Sequence, residues 1–320
     1  MMTAKRVSII DESAIDQVAE TQRLVDGLRA THASIEPKYF YDELGCALYA
    51  AICHVDEYYP TRVERAIFQR FRQEIADCTG RGGTLVDLGA GDCAKAKAWL
   101  PFMAPARYLA VDIADAPLQL ALVKLAAEFP EIEMTGLVTD FSRSLRIAPQ
   151  LLQGQTTLFY PGSSIGNFTP QEATRFLREM FALTAPGGGG LLIGVDAKKD
   201  AARLTAAYDD ALGVTAAFNL NVLRHVNRLL GGNFDLSAWR HVGLYNEAEG
   251  RVEMHLESRR DQEVMLNGEN RLFLRGEKIH SENAYKYHRH EFAALLTAAG
   301  FGDIRCWSDS GESFWVFYAR

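Results

Sequence analysis

Leu85-Val86-Asp87-Leu88-Gly89-Ala90-Gly91-Asp92 carries a short apolar run straight into a glycine turn. Glycines at 89 and 91 let the backbone take angles that a Cβ forbids, and they let main-chain amides come close to a bound nucleotide. Twenty-one residues after Gly91, Asp112 ends the next apolar run, Leu109-Ala110-Val111-Asp112. An acid at that spacing accepts hydrogen bonds from ribose hydroxyls. Val138-Thr139-Asp140-Phe141 repeats the arrangement. There a carboxylate can accept from an adenine amino group while the ring packs on the base.

Outward from the turn, the runs 84–91, 107–113, 134–140, 156–163 and 189–197 are short and apolar. Between them, Cys93 to Met103, Ala116 to Phe129 and Thr169 to Leu183 have helical spacing, and the Pro186 to Gly190 run stops the last of these. Such alternation predicts a parallel sheet flanked by helices. At the far end a helix over Arg289 to Ala299 closes on Gly300, followed by two strand-like runs about a Ser308-Asp309-Ser310-Gly311 turn. An antiparallel hairpin there completes the same sheet, as in nucleotide-binding sheets of the methyltransferase kind. The fold class is therefore α/β, a Rossmann-like class I methyltransferase sheet with a smaller α+β domain. The sheet domain is expected over 61–199 and 288–320, and the substrate-binding domain over 8–60 and 200–287, where Ile15 to Pro60 reads as helical and rich in aromatic residues, 201–213 and 214–230 read as helices, and long alternating strands follow. Gly89-Ala90-Gly91-Asp92-Cys93-Ala94 also satisfies the looser GxGxxA pattern of nicotinamide enzymes. Asp140-Phe141 and the terminal hairpin favour S-adenosylmethionine. A nicotinamide oxidoreductase and a catalytically silent sensor are the readings from other classes.

The 320 residues are 48% hydrophobic, enough for a sizeable core, and the formal net charge is -7. No basic field attracts phosphate backbones or anionic lipid, which argues against nucleic-acid and membrane partners. The N-terminus has no apolar signal core and no apolar run approaches the ~20 residues of a bilayer span. A cytoplasmic monomer acting on a small molecule is expected. Cys46, Cys53, Cys78, Cys93 and Cys306 are odd in number and form no CxxC pair, in keeping with a reducing compartment. His288 and His290 alternate as on one strand face, but with no third ligand in view no metal site is expected.

Longer motifs carry a resemblance. Tyr39-Phe40-Tyr41-Asp42, Glu57-Tyr58-Tyr59-Pro60-Thr61-Arg62, Gly162-Ser163-Ser164-Ile165-Gly166-Asn167, Tyr208-Asp209-Asp210, Gly213 to Asn219 and Glu282 to Tyr287 are long and specific. Across nearly its whole length the chain resembles the histidine-specific Nα-methyltransferases of ergothioneine biosynthesis. That resemblance implies that Tyr41, Tyr58, Asn167 and Tyr208 hold the amino and carboxylate groups of a free amino acid. It also implies that Lys95, Asp112, Asp140 and Phe141 join Gly89 and Gly91 around S-adenosylmethionine. Asn167 and Tyr41 are the expected catalytic pair, orienting the amine lone pair. Phenols and an amide keep a zwitterion hydrogen-bonded without adding fixed charge.

One position departs from the family pattern. Where the family carries serine, which grips the imidazole together with a glutamate, this chain keeps Glu282 but has Ala284. One hydrogen bond to the ring is then missing, worth about 1 kcal/mol where water replaces it. Met254 matches a position that packs near the imidazole. Histidine is the expected substrate, methylated up to three times, with another aromatic or imidazole amino acid as the alternative.

Overall fold

The computed structural model describes residues 7–12 and 17–320; residues 1–6 and 13–16 lie outside it, among them Ile15 at the start of the N-terminal stretch expected to be helical. The strands among the described residues are β1 (Ser8–Asp11), β2 (Thr84–Leu88), β3 (Arg107–Asp112), β4 (Glu133–Val138), β5 (Thr156–Tyr160), β6 (Gly190–Asp196), β7 (Trp239–Asn246), β8 (Arg251–Ser258), β9 (Gln262–Leu266), β10 (Glu269–Phe273), β11 (Lys278–Tyr285), β12 (Ile304–Ser308) and β13 (Phe314–Ala319). The chain divides into two compact units, one holding 7–12, Arg62–Ala197 and Tyr287–Arg320, the other 17–61 and Lys198–Lys286.

In the first unit eight strands form one sheet in the order β1-β4-β3-β2-β5-β6-β13-β12. Every residue of β2, β5, β6 and β13 is buried, as a sheet covered on both faces requires. From β2 the chain steps outward through β3 and β4, then returns to the other side of β2 for β5 and β6. The order reverses beside β2, and the carboxyl end of a strand at such a switch point is where ligands bind. β13 runs antiparallel to both β6 and β12, as the terminal hairpin required.

Three expectations about elements of this unit need correction. Residues 8–11 were assigned to the substrate-binding domain, but β1 pairs parallel with β4 at the edge of the large sheet. Four residues with no turn signal on either side gave the pattern too little length to show this. The helix expected over Cys93 to Met103 is two short ones, Ala94–Lys97 and Leu100–Met103. Pro101, which has no N–H to donate, is accommodated in the first turn of the second. His288 and His290 do not share a strand face: His288 precedes the helix Arg289–Ala299, its N–H donating to Glu291 Oε2 at 2.8 Å, and His290 lies within that helix.

The second unit contains the helices Gln17–Arg29, Glu43–Ile52, Ala201–Ala206 and Val214–Leu230, the antiparallel sheet β11-β8-β7 and the hairpin β9–β10. Phe40 stacks on Phe218 at 4.6 Å, fixing the aromatic N-terminal segment to the helix Val214–Leu230. Gly45 is required at the start of Glu43–Ile52, since a Cβ there would lie 1.7 Å from the Phe40 carbonyl oxygen. The expected helix through 201–213 stops at Ala206 because Asp210 does a different job. Its two carboxylate oxygens accept from Val214 N at 2.9 Å and Thr215 N at 2.7 Å, capping the next helix.

No helix among the described residues is long and apolar enough to cross a membrane.

Candidate active site

In the sheet unit, β2 delivers the chain into the glycine turn at φ +71° for Gly89 and +54° for Gly91. The turn is braced by β3. Gly89 N and Ala90 N donate to the Val111 carbonyl, and Gly91 N donates to Asp112 Oδ2 at 2.8 Å. Asp112 Oδ1 accepts from Ala114 N at 2.9 Å. The carboxylate expected to hold ribose thus also holds the turn.

Phe141, just beyond β4, lies with its Cζ 3.9 Å from where a Gly89 Cβ would stand, while a Cβ on Gly91 would meet open space. Tyr160 meets the Phe141 ring edge-on at 6.2 Å, and Phe176 stacks on it at 6.0 Å. Asp140 Oδ1 accepts from the backbone N–H of Ser142 at 3.0 Å and from its hydroxyl at 2.5 Å. An open glycine cradle, an acid at the end of β3 and a fixed ring beside an acid after β4 fit an adenosyl group in shape and donor set. Asn167 ends the short turn Ser164–Asn167 that follows β5 and is half-buried. The expected residues of this unit therefore lie at or just beyond the carboxyl ends of β2 to β5.

Two acids here were not singled out from the sequence. Asp87, inside β2, accepts from the Tyr108 hydroxyl at 2.8 Å. Burial raises its pKa to about 7, against the pull of that hydrogen bond. Glu64 forms an ion pair with Lys95 at 2.9 Å. Both acids act through partners far away in sequence, so no local pattern marks them.

In the second unit the expected tyrosines belong to one aromatic cluster. Tyr41 meets Phe218 edge-on at 6.0 Å, and Tyr58 meets Tyr208 at 6.1 Å. Tyr49, overlooked in the sequence, joins the two pairs, 5.9 Å from Tyr41 and 6.5 Å from Tyr58. Its place in the second turn of the helix Glu43–Ile52, which follows the Tyr39-Phe40-Tyr41 motif, was the available signal.

On the antiparallel sheet Glu282 of β11 stands opposite Met254 of β8, and Ala284 stands opposite Val252. Residues two apart on a strand share a face, so Glu282, Ala284 and Met254 line one surface. Burial lifts the Glu282 carboxyl to a pKa of about 7, while the Lys286 ammonium pulls it back. Lys286, also overlooked, is 1% exposed and donates to the Tyr208 hydroxyl at 2.9 Å. The expected uncharged polar wall therefore includes a buried cation. Burial also drives the Tyr58 hydroxyl well above its ordinary pKa, so it stays protonated and able to donate.

The profile of a family described as a histidine-specific, S-adenosylmethionine-dependent methyltransferase matches residues 20–320. A histidine N-alpha-methyltransferase of Mycolicibacterium smegmatis is 38% identical over 316 residues, spanning 96% of this chain and 97% of the relative. The protein of the same name from Mycobacterium tuberculosis is 35% identical over 317 residues, 97% and 98% of the two chains. A solved structure described as a possible exported protein of Bordetella parapertussis superposes with a TM-score of 0.50 at 15% identity, covering 95% of this chain and 87% of that one. At that identity the likeness concerns the fold alone.

Proposed function

Because the chain belongs to the histidine-specific, S-adenosylmethionine-dependent methyltransferase family, we propose that it methylates the α-amino nitrogen of free histidine, up to three times. We assign the reaction to the cytoplasm and to a monomer. The observation that carries histidine as substrate is Glu282. A carboxyl with a pKa of about 7, beside the apolar side chain of Met254, suits an imidazole whose own pKa is about 6.5. A carboxyl there can share a proton with a ring nitrogen, so the ring is gripped without leaving an unpaired buried charge.

When bound, S-adenosylmethionine supplies an electrophilic methyl carbon. Transfer of that methyl group to the neutral amine, with the cofactor's thioether as the leaving group, would require no covalent nucleophile from the chain. The chain's own contribution is alignment and proton control. Desolvation favours the unprotonated amine, the form that carries the lone pair. Tyr41 and Asn167 would orient it, while Tyr58 and Tyr208 would hold the substrate's polar ends, with Lys286 placing a positive charge beside Tyr208. Gly89, Gly91, Lys95, Asp112, Asp140 and Phe141 would hold the cofactor. A second reading, another aromatic amino acid as substrate, is favoured by Ala284, which offers no hydroxyl to a ring nitrogen.

Calorimetric titration in the presence of S-adenosylhomocysteine, with histidine, tryptophan and tyrosine in turn, tests the assignment. Heat with histidine, and methylated histidine in the mass spectrum after S-adenosylmethionine is supplied, is expected. Heat with tryptophan or tyrosine alone would transfer the reading to those substrates.

A further inference from the structure

Glu64, on the helix Pro60–Arg70, is 1% exposed, and both of its carboxylate oxygens have partners in the sheet unit. Oε2 is 2.9 Å from Lys95 Nζ, and Oε1 accepts from Gly162 N at 2.6 Å. Lys95 sits one turn past the cofactor glycines, and Gly162 opens the turn that ends at Asn167. We propose that Glu64 is a positioning residue, which sets the Lys95 ammonium on the cofactor side and the Asn167 turn on the substrate side in register with each other.

The surrounding backbone is built to admit this carboxylate. A Cβ at Gly194 of β6 would lie 2.1 Å from Glu64 Oε1, so only glycine leaves room there. Gly162 has φ +85°, and a Cβ on it would stand 2.9 Å from Lys95 Nζ. The turn then continues without slack. Ser163 Oγ accepts from Asp196 N at 2.8 Å, and Gly166 N donates to the Ser163 carbonyl at 2.9 Å. A shift at Gly162 is thereby carried to Asn167 within five residues.

The division of exposure within the pair points the same way. The Glu64 side chain is 2% exposed and that of Lys95 is 39% exposed. A carboxylate this deep is costly unless its partners are well placed, so it fixes them firmly. Meanwhile the ammonium keeps donors free of Glu64, since Lys has three and the carboxylate takes one. A lysine held in this way presents a preset positive charge, suited to the carboxylate of the cofactor's amino-acid end. This inference rests on the function proposed above and adds a residue to it.

The test measures S-adenosylhomocysteine affinity by calorimetry and kcat at saturating S-adenosylmethionine for wild type, Glu64→Gln, Lys95→Met and the double variant. Glu64→Gln keeps an acceptor for Gly162 but turns an amide N–H toward the ammonium. Each single change should weaken S-adenosylhomocysteine binding about tenfold, and the double variant should be no worse than Lys95→Met. Glu64→Gln should also lower kcat, with a smaller change in histidine KM. Additive losses, or unchanged affinity in Glu64→Gln, overturn the proposal, and tighter binding would mean that Glu64 withholds Lys95 from the cofactor. Where Glu64→Gln does not melt cooperatively, Glu64→Asp, which keeps the charge but shortens its reach, is read by the same criteria. A wild type that binds S-adenosylhomocysteine but does not methylate histidine removes the proposed function instead, so the two failures are separable.

Discussion

Lys286 Nζ lies 2.9 Å from the Tyr208 hydroxyl, on a lysine that is 1% exposed and only four residues beyond Glu282. One buried cation thus serves two groups of the candidate substrate site: it donates to a phenol and holds down the pKa of a carboxyl.

Replacing it separates these roles. Lys286→Met keeps most of the apolar stem and removes the charge, and Glu282 then takes up a proton rather than stay buried as an unpaired carboxylate. Histidine KM should rise at least about tenfold, in line with the loss of a charged hydrogen-bond partner. The Glu282 pKa should move further up, which carbon-detected NMR of the labelled carboxyl would register. An unchanged KM would remove Lys286 from substrate binding.

Glu282 also makes the fold's stability depend on pH. Its folded pKa of about 7 stands above the ordinary 4.5, so between these values the folded chain keeps a proton that the unfolded chain has released. Stability from this group therefore falls as pH rises from about 4.5 to 7 and levels off above that. Asp87, raised from 3.8 to about 7 by burial, acts in the same direction over nearly the same window. Glu282→Gln should flatten the slope in part, gaining on the order of 1–3 kcal/mol above pH 7 relative to wild type, with Asp87 keeping the remainder. Urea midpoints at pH 5 and pH 8 for both proteins measure this. An equal drop in wild type and variant would place the slope elsewhere.

The difference between what the sequence displays and what it conceals follows from distance along the chain. β2 to β6 were legible because each is a short apolar run closed by a turn, and Val214–Leu230 because seventeen residues keep one helical period. Asp112, Asp140 and Phe141 were legible because a strand end fixes where the next side chain points. Glu64 was not, for its partners are 31 and 98 residues away and only the folded sheet brings them together. Lys286 lay inside a quoted motif, yet a lysine is ordinarily a solvated residue, and only the fold, which leaves it 1% exposed beside the Tyr208 hydroxyl, changes that reading. β1 was lost for a simpler reason: a four-residue edge strand has too few positions to show a period.

Asp210 illustrates a motif residue with a structural role. Both of its oxygens accept backbone N–H groups at the start of Val214–Leu230, at 2.9 and 2.7 Å, which holds the acid below its ordinary pKa despite burial. Asp210→Ala should cost about 1–2 kcal/mol, the usual loss of an N-cap, and lower the melting temperature while leaving histidine KM within about twofold. Thermal melts and steady-state kinetics together decide the matter. A large KM change without destabilisation would move Asp210 into the substrate site.

Ala284 gives the most direct probe of ring recognition. It is 5% exposed, shares a strand face with Glu282 and stands beside Met254 on the neighbouring strand. Ala284→Ser adds one hydroxyl at that surface and little volume. If imidazole lies against Glu282, the hydroxyl can pair with a ring nitrogen, and a net gain of about 1 kcal/mol lowers histidine Kd roughly fivefold. With an indole or phenol substrate the same hydroxyl would be buried against carbon and left unpaired, so affinity would fall instead. Calorimetry with histidine and tryptophan on both proteins reads the two signs directly. Weaker histidine binding in Ala284→Ser, with tryptophan bound by wild type, would assign this surface to a larger ring.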